Sequence, residues 1–199
     1  MPDGAAMSRA TPSLALDLGA VSVKGGARSD AALVRAAQAG GTEAIEALFD
    51  RHWPVLHQAA YLVVHDAAAA EDIAQEAFLA GLRALDRFDR RRPLRPWLHR
   101  IAVNRAIDHA RARALRREAD GPSPETESTA PEPMCGLGED VMAALALLDP
   151  EQRAVVVLRH LLGYSPGEIA SLIDVPRGTV NSRLRRGLDS LAQTLGDRR

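Results

Sequence analysis

Residues 165–187, SPGEIASLIDVPRGTVNSRLRRG, leave this chain little freedom in how it can fold. Ser165 precedes Pro166, with Glu168 three residues on, the pattern of a capping box with proline at the first helical position. Ile169, Leu172 and Ile173 recur at helical spacing. Asp174-Val175 reads as a tight turn. Pro176 opens a second helix in which Val180, Leu184 and Leu188 face inward at intervals of four. Its other side holds Arg177, Thr179, Asn181, Ser182, Arg183, Arg185 and Arg186. This is the layout of a helix-turn-helix, with hydroxyl, amide and guanidinium groups suited to phosphates and base edges in a major groove. An ordinary helical hairpin with a solvated basic face fits the same spacing.

The rest of the chain supports a helical fold. Its 199 residues suffice for one or two domains, and they are rich in alanine, leucine and arginine but poor in β-branched and aromatic residues outside a few helical stripes. An all-α protein is expected. The single cysteine, Cys135, excludes an intramolecular disulfide and fits a reducing compartment. No run approaches the roughly 18 apolar residues of a membrane span. Residues 1–29 lack the basic and hydrophobic regions of a signal peptide and read as a flexible extension, so a cytoplasmic protein is expected.

The formal net charge of −1 conceals segregation. From Glu43 to Leu82 seven acidic residues face one arginine, whereas from Arg83 to Arg117 twelve arginines face three aspartates. Glu118 to Asp140 carries seven acids and no base, and the stretch from Arg177 onward is basic again. Such separation suits a protein with one surface for a polyanion and another for a basic protein partner.

Composition divides the chain into an extension (1–29), a helical domain (30–118), a linker (119–138) and a second helical domain (139–195). Gly40-Gly41 stops the first helix, a second begins at Thr42, and a third runs from near Asp66 to about Leu85. Residues 90–96, RRRPLRP, form a basic loop because each proline biases its predecessor away from helix. A long helix follows from Trp97. The linker is rich in Pro, Gly, Ser, Thr and Glu, the composition of a flexible tether. In the second domain Asp149, Pro150 and Gln152 start a helix that buries Val155, Val156, Leu158, Leu161 and Leu162.

Two further faces carry chemistry. On the third helix Ile73, Ala74, Ala77, Phe78, Gly81, Leu82 and Leu85 fall on the buried side, and Asp72, Gln75, Glu76, Leu79 and Arg83 on the other. An apolar Leu79 among acids, with small Ala80 and Gly81 beside it, suits docking of a basic helix as well as plain solvation. On the helix from Trp97, Arg100, Asn104, Asp108 and Arg111 share a face, and Arg113, Arg116 and Arg117 extend the positive field. Arginines beside an aromatic ring can track a single strand and stack a base. Trp97 is equally well read as core.

In this order and spacing, AEDIAQEAFLAGLRAL, RFDRRRPLRPWLHRIAVNRAIDHARARALRR and LALLDPEQRAVVVLRHLLGYSPGEIASLIDVPRGTVNSRLRRGLDSL resemble the RNA polymerase sigma factors of the sigma-70 family, specifically the two-domain extracytoplasmic-function (ECF) group. The resemblance implies a region 2 helical bundle and a region 4 helix-turn-helix joined by the linker. It implies that Asp72, Gln75, Glu76 and Leu79 dock on the β′ coiled-coil of core RNA polymerase, with the β subunit a further contact. It assigns Arg90, Arg91, Arg92, Arg95, Trp97, Arg100, Asn104, Asp108 and Arg111 to the minus-ten element and its non-template strand. It assigns Arg177, Thr179, Asn181, Ser182, Arg183 and Arg186 to the minus-thirty-five element. An anti-sigma protein is an implied partner. The sequence departs from the family at Leu94, where phenylalanine is common, and at Asn181, where lysine is frequent.

Two other readings compete. A helix-turn-helix regulator that does not recruit polymerase leaves the acidic face and the basic loop without a role. An enzyme is disfavoured: the six histidines show no HExxH-type spacing, no glycine loop for phosphate is present, and the cysteine lies in the linker. No metal or cofactor is expected.

Overall fold

Ser29 starts the first helix and Gly40 stops it. The Ala32 amide donates to the Ser29 hydroxyl at 3.3 Å, capping α1 (Asp30–Gln38). Gly40 adopts φ +85°, and the amides of Gly40 and Gly41 turn back to the carbonyls of Ala37 and Ala36, both at 2.9 Å. This closure requires a left-handed residue, which glycine supplies without strain. α2 (Thr42–Val64) carries Pro54 within it and ends at a left-handed His65. Asp66 caps α3 (Ala67–Ala84) by accepting from the Ala69 amide at 3.1 Å, and a 3-10 turn follows at Leu85–Arg87.

The structure is a computed structural model that describes residues 28–120 and 137–196, and every element among them is helical. Residues 1–27, most of the linker and Cys135 lie outside the described residues. α4 (Leu94–Asp120) corrects one expectation, because the loop closes at Pro93 rather than Pro96. Pro96 falls in the first helical turn, where an amide hydrogen would have no helical acceptor, so its absence costs nothing.

The second helical group comprises α5 (Glu139–Ala146), α6 (Pro150–Val156), α7 (Pro166–Ile173) and α8 (Arg177–Gly196). α6 passes into a π-helical turn, Val157–Leu161, where the Leu162 amide reaches the Val157 carbonyl at 3.0 Å. Asp149 stands ahead of α6, yet its carboxylate accepts from the Gln152 side chain at 2.9 Å and caps no backbone amide. The capping box of α7 forms in full: the Ser165 amide donates to Glu168 at 2.8 Å and the Glu168 amide to Ser165 at 3.3 Å. The same bonds hold the exposed Glu168 carboxyl below the usual carboxylate range. Asp174 makes the turn in the left-handed region at φ 55°.

Leu188 is corrected too. It is 42 % exposed, and Gly187 takes the inward place, where an added Cβ would lie 2.9 Å from Val156. Steps of four drift off a 3.6-residue period, and by the second step the stripe has moved one residue back.

The two helical groups meet. α4 packs on α6 and α7, α2 packs on α6, and one apolar cluster runs from Leu62, Val63, Val103 and Ile107 to Leu145, Val155, Leu158, Ile169 and Val180. Burying each such valine or leucine contributes about 1.5–3 kcal/mol. Arg153 pins this junction. It is 8 % exposed, and its guanidinium donates to the carbonyls of Leu145 (2.9 Å), Ala146 (2.8 Å), Leu148 (2.8 Å) and, across the junction, Val63 (2.7 Å). These carbonyls lie at or just past the ends of α5 and α2, where the helical ladder runs out of donors. Burial lowers the Arg153 pKa to about 10.

Beside it, His99 of α4 and Tyr164 share a buried hydrogen bond of 2.8 Å, and His99 Nε2 has no partner among the described residues. Burial, with nearby Arg95 and His52, lowers the His99 pKa to about 3, and burial with Arg153 lowers His65 to about 4. Burial likewise raises the Tyr164 hydroxyl to about 12.

Arg153→Ala withdraws the guanidinium from four carbonyls in the junction and should cost about 3–5 kcal/mol in urea unfolding. A loss below about 1 kcal/mol would show that solvent replaces the guanidinium. The histidines set an acid limb. Below pH 6.5 the unfolded chain binds protons that the folded chain refuses at His99 and His65. Stability should therefore fall as pH drops from about 6.5 toward 4 and recover on raising it. In His99→Gln the slope of the urea midpoint against pH should be shallower than in the parent; an equal slope would remove His99 from this account.

Candidate nucleic-acid and protein interfaces

The acidic face of α3 is solvent-facing as its periodicity predicts. Asp72, Gln75, Glu76 and Arg83 are exposed and Leu79 is 41 % exposed, while Ile73, Ala74, Ala77, Phe78 and Gly81 are buried beneath. Asp66 at the start of α3 takes Arg113 of α4 at 3.5 Å, which withdraws that arginine from the free positive field. Phe49 of α2 is also exposed, stacked on Trp53 and set edge-on to Phe78. Gly81 serves the interior: an added Cβ would meet Leu98 of α4 at 2.7 Å, so its small size admits α4 and no external partner. Arg105 of α4 pairs with Glu76 at 3.0 Å, a contact between exposed groups that the sequence did not suggest.

Around the basic loop the structure forms a cavity of about 480 Å³ lined by Ser29, Asp30, Val34, Phe88 and Leu94 together with Arg90, Arg91, Arg92 and Arg95. Asp89 shapes the loop by accepting from the Arg91 amide at 3.0 Å on its side chain and from the Arg92 amide at 2.9 Å on its carbonyl. The wall formed by α1 is fixed from below. Asp30 accepts from Arg51 at 2.6 Å and lies 3.2 Å from Nε2 of the buried His52, whose pKa burial lowers although Asp30 opposes the shift. Leu94 is buried at the foot of the loop. Trp97 is half-buried, packed on Phe88 at 4.7 Å between ring centres, so the core reading accounts for most of its surface.

The stripe on α4 splits. Arg100 and Asp108 are exposed. Asn104 instead donates to the Leu172 carbonyl of α7 at 3.2 Å, and Arg111, 3.6 Å from Asp108, also donates to Glu151 of α6. On α8, Arg177, Asn181, Arg185 and Arg186 are exposed and Thr179 and Ser182 half-buried, with the Ser182 hydroxyl donating to the Thr179 carbonyl at 2.9 Å. Arg183 is drawn inward and donates to the other oxygen of Glu151. The structure therefore brings Arg111 and Arg183, assigned from the sequence to different surfaces, onto one carboxylate. Sequence reasoning missed Glu151, since an acid in a first helical turn has an ordinary explanation in the helix dipole. Among the described residues no three His, Cys, Asp or Glu side chains are grouped to hold a metal, and no helix is long and apolar enough to cross a membrane.

A model for sigma-70 region 2 matches residues 48–116, and one for sigma-70 region 4 matches residues 138–191. The chain is 36% identical over 173 residues to the ECF RNA polymerase sigma factor SigM of Mycobacterium tuberculosis, covering 85% of this chain and 86% of SigM. It is 30% identical over 182 residues to the ECF sigma factor SigW of Bacillus subtilis, covering 82% of this chain and 95% of SigW. Among solved structures it is similar to the sigma factor RpoE of Bartonella quintana in complex with the anti-sigma factor NepR (TM-score 0.63, 25% identity, 77% and 98% of the two chains). It is also similar to CnrH in complex with the cytosolic domain of CnrY (TM-score 0.62, 31% identity, 84% and 97%).

Proposed function

The chain belongs to the ECF group of RNA polymerase sigma factors, and from that premise we propose how its surfaces divide the work of promoter-specific initiation. The observation that carries the reading is the pairing, in one region 2 module, of an exposed acidic face around Leu79 with an arginine-lined cavity.

Asp72, Gln75, Glu76 and Leu79 dock the chain on the coiled-coil of the β′ subunit of core polymerase. Leu79 supplies the apolar contact, and the surrounding carboxylates select a basic partner helix and steer its approach. The loop arginines 90, 91, 92 and 95, with Arg100, Asn104, Asp108 and Arg111, take the minus-ten element. Opening that element exposes bases at a cost of a few kcal/mol each, which stacking and phosphate contacts offset. Leu94 is buried and Trp97 largely covered, so the loop presents guanidinium planes to an unpaired base in place of an aromatic ring. Arg177, Thr179, Asn181, Ser182, Arg183 and Arg186 on α8 read the minus-thirty-five duplex. None of these roles requires covalent chemistry. Complexes of RpoE and CnrH with their regulators support an anti-sigma protein as a further partner. A regulator that binds duplex without polymerase would leave the α3 face unused.

The double variant Asp72→Arg, Glu76→Arg should lose retention on immobilised core polymerase while keeping its duplex affinity; retention equal to the parent would place core binding elsewhere. In holoenzyme, Arg186→Ala should weaken minus-thirty-five duplex binding by about 1–3 kcal/mol if it reaches a base and lower the salt slope by about one if it reaches a phosphate. Unchanged affinity and unchanged salt slope together would exclude this face of α8.

A further inference from the structure

Asp30, the first residue of α1, is the one carboxylate in the lining of the cavity beside the basic loop, where it stands among the exposed arginines 90, 91, 92 and 95. Contacts from α2 fix its place. Arg51 donates to Oδ1 at 2.6 Å and, through its other terminal nitrogen, to the Arg28 carbonyl at 3.0 Å, while the buried His52 lies 3.2 Å from Oδ2. A carboxylate accepts up to about four hydrogen bonds, so acceptor capacity remains on a side chain that is 33% exposed. The pair with Arg51 and the position in a first helical turn account for an acid at Asp30, but not for its access to a cavity that takes a polyanion. A carboxylate there repels phosphates, and it gains only from a donor carried by the entering strand.

Nucleobases carry such donors at fixed places. Cytosine presents its N4 amino group where thymine presents the O4 acceptor, on rings of the same size. Cytosine also keeps N3 and O2 as acceptors for a guanidinium. Resting on the reading above, in which this cavity takes an unpaired base of the minus-ten element, we propose that Asp30 is a specificity-determining residue that selects cytosine over thymine. Its carboxylate accepts from the N4 amino group, and a neighbouring loop arginine donates to the acceptors of the same ring. With thymine the O4 lone pairs face the carboxylate, so a bond is lost and a repulsion is added. The remaining arginines hold strand phosphates whatever the base, which adds affinity without choice. α1 thereby joins the loop and α4 in reading the promoter.

The test uses holoenzyme assembled from core polymerase and the full chain, with short fluorescein-labelled single strands read by anisotropy at fixed salt. One strand is oligothymidine, and the other carries a single deoxycytidine at its centre, which can slide into the cavity. The parent should bind the cytosine strand about five- to tenfold more tightly. Replacing that cytosine by 2-pyrimidinone, which has hydrogen in place of the amino group, should remove most of the gain, and this arm requires no change in the protein. Asp30→Asn keeps the side-chain shape and an acceptor for Arg51, but its amide both donates and accepts, so this holoenzyme should bind the cytosine and thymine strands alike. Equal binding of both strands by the parent overturns the proposal. A cytosine gain that survives in Asp30→Asn, or without the amino group, overturns it as well, because the reading group would then lie elsewhere. If the parent holoenzyme binds neither strand, the assignment of the cavity to the minus-ten element falls and the proposal falls with it; tight binding of both strands without preference removes the role of Asp30 alone.

Discussion

A single buried guanidinium organises this molecule. Arg153 donates to three carbonyls around the end of α5 and to the Val63 carbonyl at the end of α2, so it closes helix termini in both modules. Helix C-termini concentrate partial negative charge, and a cation placed there needs no carboxylate to satisfy it. Arginine fits because its planar fork presents five donors in fixed directions. With that joint in place, the apolar seam of α2, α4, α6 and α7 fills around it.

The consequence is a division between side chains that face outward and side chains held by contacts within the chain. The α3 face and the loop cavity open outward and are available to partners as they stand. Asn104 and Arg111 are bound by partners from the opposite module, and Arg183 by Glu151 of its own.

Much of the fold was legible because it is local. The Ser165–Glu168 capping box, the Gly40-Gly41 stop, the start of α3 near Asp66 and its two stripes each depend on residues within a few positions of one another, and each formed as read. Errors arose where a rule of thumb met a second constraint. Pro96 was tolerated because it falls in a first turn, Leu188 drifted out of the inward stripe, and Asp149 found a side-chain partner before a backbone one. The contacts that cross between modules were invisible. Nothing near Arg153 in the sequence signals that its acceptor is 90 residues away, and Glu151 looks like any acid that begins a helix. The surface residues were nameable from pattern and resemblance, but their pairing is a property of the assembled chain.

A sigma factor of this group is the subunit that tells polymerase where to begin. The direct measurement is run-off transcription by purified core polymerase on fragments of the native genome, with and without the full-length protein. Discrete transcripts that appear only when the protein is added, from a limited set of fragments sharing two upstream elements, are predicted. A transcript pattern identical to that of core polymerase alone, on every fragment, would contradict it.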